Sequence, residues 1–332
     1  MKILLATRKT YIEMPIIYDF ADAFEDLGHK TEVVDINEYN KIFEENEFIK
    51  GLEIIKRKIR DISPDFAICY GSIGIFPKQL IFNKKIGYFS YSDVPLASLY
   101  YDNPCNELLI PYVESTKNHR INHIFVWDKV YLNILNKEGY KNVSYLPLAT
   151  NPKRYKKLKL EEDDLKKYEC EIGFVGTYSG HRHKIMSMLK HHDIKIYGIN
   201  WERSKDEDVR KRFYGEIDNL TETTKFYNAT KININSTIPE GITSINTRLF
   251  DVLASEGFIL TDYKDDLNTL FDIKEEIISY TSIEQIPKLC ELFLKHPEQR
   301  RLIAQKGRRR VLREHTYKQR AAVIIDVMKN YI

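Results

Sequence analysis

Lys231-Ile232-Asn233-Ile234-Asn235-Ser236 reads as a short strand, with Ile232 and Ile234 apolar, that closes on polar residues. It is followed by Pro239-Glu240-Gly241-Ile242-Thr243-Ser244-Ile245-Asn246, a loop rich in small residues. Thr247-Arg248-Leu249-Phe250-Asp251-Val252-Leu253-Ala254-Ser255 then has helical spacing, and Phe258-Ile259-Leu260-Thr261-Asp262 is an apolar run. The order is strand, loop, helix, strand. Repeated alternation of this kind predicts a parallel sheet covered by helices on both faces.

Working outward, the same alternation fills the second half. Strands are expected at Cys170–Val175, Ile194–Tyr197, Lys231–Asn235, Phe258–Thr261 and Ile277–Tyr280. Helices are expected at Arg182–Lys190, Thr221–Ala229, Thr247–Ser255 and Ile283–Leu294, and a long charged helical stretch fills Glu298–Tyr331. The first half repeats the scheme. Lys2–Ala6, Lys30–Val34, Phe66–Tyr70, Lys85–Ser90, His123–Val126 and Val143–Leu146 are predicted strands. Ile16–Leu27, Ile42–Ile62 and Lys129–Glu138 are predicted helices, with Gly28 and Gly139 as stops. The polar and charged run Asn151–Glu169 interrupts the series. The expected organisation is therefore an α/β protein of two Rossmann-like, doubly wound domains facing across a cleft. The first domain is residues 1–150, a linker is 151–168, and the second domain is 169–310. A C-terminal helix, 311–332, packs back toward the first domain.

Composition agrees with two ordinary globular domains. The 332 residues are 43% hydrophobic and 30% charged, and 51 basic against 48 acidic side chains leave a net charge of only +3. That balance gives no general pull toward nucleic acid. The four cysteines, Cys69, Cys105, Cys170 and Cys290, form no paired motif, so reduced thiols and a cytoplasmic location are expected. No apolar run approaches the ~18 residues of a membrane span. The start, Met1-Lys2-Ile3-Leu4-Leu5-Ala6, is shorter than a secretory leader. A peripheral membrane contact stays compatible with this composition.

Two loops carry the candidate chemistry. Gly173-Phe174-Val175-Gly176-Thr177-Tyr178-Ser179-Gly180-His181-Arg182 runs from a strand through glycines into a helix. Glycine lets a ligand approach the backbone, and the free amides and dipole of the next helix favour an anion such as a nucleotide diphosphate. Gly176, Thr177, Gly180, His181 and Arg182 are the candidates there, although a plain strand-to-helix turn also uses glycine. No Gly-Lys-Ser/Thr follows, so this is not a Walker loop. In the second loop Asn246 or Thr247 is placed to cap the helix. Arg248 at a helix start opposes the dipole unless an anion sits there, which makes it a candidate phosphate clamp. Asp251, one turn on, is a candidate acceptor for ribose hydroxyls; the alternative has Arg248 paired with a carboxylate and Asp251 in solvent. Asp206-Glu207-Asp208 sits in a run that reads as a solvated charged helix, and no histidine pair has a carboxylate spaced to complete a metal site. We therefore expect neither metal nor cofactor. Asp93 and Asp102 lie on predicted loops of the first half and are candidate catalytic bases.

Taken together, Gly173–Arg182, Lys231–Asp262, Tyr280, His296-Pro297-Glu298-Gln299-Arg300-Arg301 and His315-Thr316-Tyr317-Lys318-Gln319-Arg320 resemble the donor domain of CgeB-like glycosyltransferases. Tyr101-Asp102-Asn103-Pro104 and Phe125–Pro152 resemble the acceptor domain of that family. The resemblance implies the GT-B architecture, with a nucleotide-diphosphate sugar bound mainly by the second domain and passed to an acceptor. It implies Gly176–Gly180 near the diphosphate, Arg248 and Asp251 near phosphate and ribose, and Asp102 as the preferred base; Glu240, Asn246 and Thr247 beside them are candidates for ribose or sugar, with Glu240 too early for the spacing of the family's paired glutamates. The sequence departs from the pattern in places. Asp251 stands where many relatives have the second of two glutamates, with Thr243 eight positions earlier, and Glu256 stands where glycine is more usual.

Three other readings remain open at this point. One is a nucleotide-sugar epimerase on the same fold. Another is binding of RNA or an acidic surface through Lys306-Gly307-Arg308-Arg309-Arg310, Arg313 and Arg320. The third is a non-catalytic coat protein of the spore type.

Overall fold

The computed structural model describes residues 1–7, 14–35, 48–70, 93–101, 103–105, 121–218 and 221–332. They form two compact units. One comprises Met1–Leu148 with Tyr317–Ile332, and the other comprises Ala149–Thr316.

The described residues of the first unit form a six-stranded sheet of order β2-β1-β3-β4-β5-β6, in which every neighbouring pair is parallel. Its strands are β1 Lys2–Thr7, β2 Lys30–Asp35, β3 Phe66–Tyr70, β4 Leu96–Tyr100, β5 Ile121–Val126 and β6 Val143–Tyr145. Strands β3 and β4 are buried at every position. That is the pattern of strands covered on both faces, and it explains why β3 is apolar throughout and β4 nearly so. β4 is an unexpected element, a short run behind Pro95. The predicted strand Lys85–Ser90 lies outside the described residues.

The helix Tyr317–Met328 returns to this first unit and packs on the helix Met14–Glu25, where Tyr317 meets Phe20 edge-to-face at 4.9 Å. Arg320, buried in this seam, donates to the carbonyls of Pro147 (2.8 Å) and Leu148 (3.2 Å). Residues 311–332 are not one helix. The helix Pro297–Glu314 ends in the second unit, and His315-Thr316 separates it from Tyr317–Met328. Nor do residues 151–168 stand outside the units. They belong to the second one, where Glu162–Tyr168 is helical. This segment is tied to the helix Glu222–Ala229 by Leu158 N–H to Asn228 (2.8 Å) and by Lys225 to Asp164 (2.9 Å).

His123 on β5 shows how the C-terminus is held. Its ring lies 2.8 Å from the Ser144 hydroxyl and 3.4 Å from that of Tyr331, and burial holds its pKa below the ordinary 6.5. As pH falls, the unfolded chain takes up this proton before the folded one does. The contribution to stability is therefore whole above about pH 6.5 and is lost as pH drops through the lower folded value. We expect His123→Gln to flatten the fall in melting temperature between pH 7 and pH 5. An unchanged Tm profile would show that His123 does not titrate this way.

The second unit is a five-stranded parallel sheet of order β11-β10-β9-β7-β8. Its strands are β7 Cys170–Val175, β8 Ile194–Tyr197, β9 Thr230–Ile234, β10 Ile259–Asp262 and β11 Ile278–Tyr280. In chain order this repeats the topology of the first sheet: the second strand lies on one side of the first and the third on the other. The order reverses between β7 and β9, and a crevice at the carboxyl ends of such a pair is where open α/β sheets bind ligands. Both candidate loops leave the sheet at this point.

Candidate functional site

Val175 ends β7, and the chain passes through Gly176–Ser179 into the helix Gly180–Met188. Neighbouring backbone fixes the loop. Gly176 N–H donates to Tyr197 O (2.9 Å), Tyr178 N–H to Ile199 O (2.9 Å), and the buried Trp201 indole to Gly176 O (2.7 Å). The Gly176 amide is thus spent inside the protein and is not open to a phosphate, contrary to the expectation from sequence. Glycine is required there for another reason. A Cβ would stand 2.6 Å from an Arg248 guanidinium nitrogen, and φ is +155°. Ser179 caps the helix by accepting from Arg182 N–H (3.3 Å). Among the described residues no acceptor meets the N–H groups of Thr177, Gly180 or His181, and all three residues are exposed.

Arg182 is buried, at 6% exposure. Its guanidinium donates to Thr177 O and Ser236 O, each at 2.8 Å. It therefore straps the loop after β7 to the loop after β9. The sequence offers Arg182 as a phosphate-binding candidate; in the structure its guanidinium holds the two loops from behind. Burial, with Arg248 beside it, lowers its pKa to about 10. We expect Arg182→Ala to cost roughly 2–4 kcal/mol, because the buried Ser236 carbonyl loses its donor and the strap between the two loops is cut. Denaturant unfolding tests this, and a loss below about 1 kcal/mol would show that the strap is dispensable.

The other loop leads into the helix Thr247–Ala254, which starts without a side-chain cap from Asn246. Among the described residues the N–H groups of Thr247 and Arg248 meet no acceptor. Arg248 donates to the Asn235 side chain at 2.7 Å, and Asn235, fully buried at the end of β9, donates in turn to the Thr261 hydroxyl at 3.0 Å. The sequence pointed to Arg248 but not to Asn235, since a buried asparagine after a strand looks like any turn residue. The Arg248 and Arg182 guanidiniums lie over one Phe174 ring, at 5.1 and 5.6 Å from its centroid. Among the described residues no carboxylate lies within ion-pair distance of either. Asp262 lies nearby, but it accepts from the backbone and hydroxyl of Thr237, each at 3.1 Å. Burial lowers the Arg248 pKa, so the protein alone leaves this charge under-compensated. Clusters with such perturbed groups are often functional.

Asp251 is buried, not solvent-facing, and accepts from the Thr150 hydroxyl at 2.8 Å. Glu240 is half-buried in the turn that opens the loop. Lys264 donates to Gly241 O and Asp266 N–H to Thr243 O, which pins the loop from outside. Lys231, exposed near the amino end of β9, lies away from the crevice. Glu256 takes the left-handed conformation (φ +61°) just beyond the helix. Its N–H donates to Leu253 O and that of Gly257 to Val252 O, the Schellman pattern. Its carboxylate sits 2.6 Å from Lys157 and 3.9 Å from Arg308, which accounts for a glutamate where glycine is usual.

In the first unit, Asp93 precedes β4 and is exposed at its amino end. Ligands of parallel sheets bind at the opposite edge, so the structure speaks against Asp93 as the base. Asp102 lies outside the described residues. Asp206 caps the short helix Glu207–Arg210 by accepting from Asp208 N–H (2.9 Å) and is also bonded to Ser187 (3.2 Å). The basic run near the C-terminus is largely paired: Lys306 with Glu275, Arg308 with Glu256, and Arg310 and Arg313 with Glu314. Among the described residues no helix is long and apolar enough to cross a membrane.

Comparison with known proteins bears on this site. Residues 182–326 match the glycosyl transferase-like family model. The chain is 25% identical over 183 residues to spore protein CgeB of Bacillus subtilis (strain 168). The match takes in 50% of this chain and 55% of CgeB, so the chain spans about half the length of that relative. Both findings bear out the resemblance to CgeB-like glycosyltransferases. Among solved structures, Anabaena Alr3699/HepE in complex with UDP-glucose superposes with a TM-score of 0.70 at 10% identity, covering 99% of this chain and 100% of that one. Sucrose-phosphate synthase (tll1590) from Thermosynechococcus elongatus gives 0.66 at 12% identity, covering 99% and 98%. The fold, two parallel-sheet α/β units in series, is that of GT-B proteins.

Proposed function

We propose, from the kinship of its second unit with glycosyltransferases, that this chain moves a sugar from a nucleoside-diphosphate sugar to an acceptor hydroxyl. The observation that carries this reading is the pair of guanidiniums on Phe174, without a carboxylate counter-ion among the described residues, beside two helix starts with open amides. A pyrophosphate supplies the missing negative charge. Arg248 and the amides of Thr247, Gly180 and His181 hold it, and Arg182 keeps the two loops at the right separation. Asp251 accepts from the ribose hydroxyls, while Glu240, Asn246 and Thr247 border the ribose and sugar.

In the reaction the bond from the anomeric carbon to the diphosphate oxygen breaks and the nucleoside diphosphate leaves with the electron pair. The acceptor oxygen forms the new bond and loses its proton to a base, for which Asp102 is the candidate. Charge develops on the leaving oxygen, where preorganised amides and a guanidinium act without a metal. UDP-glucose, held by the neighbour HepE, is the first donor to try. A cytoplasmic site of action is part of the same reading.

The test is a thermal-shift panel of UDP-, GDP-, dTDP- and CMP-sugars, followed by transfer assays with the donor that stabilises. Binding to the native state raises Tm by mass action, about 2.7 kcal/mol of stabilisation at a hundredfold excess over Kd. A panel with no shift at saturating concentrations would sink the reading. Interconversion of two sugar nucleotides without an acceptor would favour the epimerase instead.

A further inference from the structure

Thr150 lies just inside the second unit, where the chain enters from the first. It is fully buried, its N–H donates to His315 O at 3.1 Å, and it forms a parallel bridge with Thr316. The returning chain is itself held in place. His315 lies 2.9 Å from Leu270 O and packs edge-on against Phe250, a residue of the Thr247–Ala254 helix. The backbone of Thr150 is thus fixed relative to that helix by contacts that do not involve its own hydroxyl. The hydroxyl donates to Asp251 at 2.8 Å, one turn after Arg248.

A buried carboxylate keeps a defined orientation only when donors hold it. Threonine's branched side chain is stiff, so its hydroxyl is a well-placed donor. We infer that Thr150 is a positioning residue: by orienting Asp251 it sets the preference of the site for ribonucleotide over 2′-deoxyribonucleotide donors. The inference rests on the nucleotide-sugar reading above. On that reading Asp251 accepts from the ribose diol, and a carboxylate in that role discriminates against a sugar lacking one hydroxyl, because a buried acceptor is then left unpaired.

The experiment uses the full chain with UDP and GDP, each beside its 2′-deoxy counterpart, in calorimetric titrations of wild type, Thr150→Val and Thr150→Ser. Wild type should prefer the ribo form by about tenfold or more, the worth of one charge-assisted hydrogen bond. Thr150→Val, which keeps the shape and removes the donor, should bring the ratio to within about twofold of unity, and Thr150→Ser should restore it. In transfer assays the loss should fall on KM for the ribo donor more than on kcat. If Thr150→Val weakens ribo and deoxy forms equally, the residue is structural only and the inference fails. It fails too, with the nucleotide reading intact, if wild type binds both forms alike. If wild type binds no nucleotide at all, both fall together.

Discussion

Arg248→Ala is expected to lower kcat/KM for sugar transfer by about two to three orders of magnitude, the usual cost of removing one preorganised donor from a developing anion. The guanidinium is held by Asn235 on one side and faces the Gly176 backbone on the other. It is therefore placed before any ligand arrives, which is what makes its loss costly. Nucleoside-diphosphate affinity should weaken in parallel. Stability should fall no further than for Arg182→Ala, whose guanidinium likewise has no carboxylate counter-ion among the described residues. The variant leaves the Asn235 oxygen without its donor, a cost of about 1–3 kcal/mol, but it also removes a buried charge that lacks a counter-ion. Arg248→Lys should recover part of the affinity as a point charge and little of the rate, because the planar fork is gone. Turnover within a factor of three of wild type in Arg248→Ala would refute the placement of the diphosphate.

The second large effect is expected at Gly198, just beyond β8. Its φ is +140°, and a Cβ there would stand 2.1 Å from the carbonyl oxygen of Gly176 and 2.6 Å from its carbonyl carbon. The atoms in the way are backbone, and the same carbonyl is held by Trp201, so nothing can yield cheaply. Gly198→Ala should cost roughly 3–5 kcal/mol from strain and overpacking together, lowering Tm by about 10 °C. The displaced Gly176 loop should also lose nucleotide affinity. Gly139→Ala is the control. It has φ +88° but open space around the added carbon, so only the backbone strain of about 1–2 kcal/mol applies. Equal losses in the two variants would mean that the contact with Gly176 is unimportant.

Much of this arrangement is legible along the chain because its signals are local. The apolar runs at Cys170–Val175 and Ile194–Tyr197 are strands at those residues. The helix bearing Arg248 starts at Thr247, where the loop of small residues ends. The signals that failed are those that neighbours in space, not in sequence, supply. β4, Leu96–Tyr100, gives no strand signal of its own, because its short run has no alternation and, unlike β3, is broken by the buried Ser98. Asp93 lies before this strand, at its amino end. Arg182 and Arg248 look alike in the sequence, each an arginine near a helix start after a polar loop. Nothing in either loop tells that one would be consumed by the carbonyls of Thr177 and Ser236.

The order of amino acids by itself determined two parallel α/β units, the two loops that carry the chemistry, and the cationic residue at the start of the second helix. These follow from periodicity and backbone preference over a few residues, which act before any distant contact forms. Tertiary structure alone decided which arginine is a strap and which faces the Gly176 loop, that Asn235 aims the latter, and that the Thr150 hydroxyl meets a carboxylate 101 positions away. Such pairings depend on how strands order in the sheet and how the chain returns across it, and no short segment encodes that.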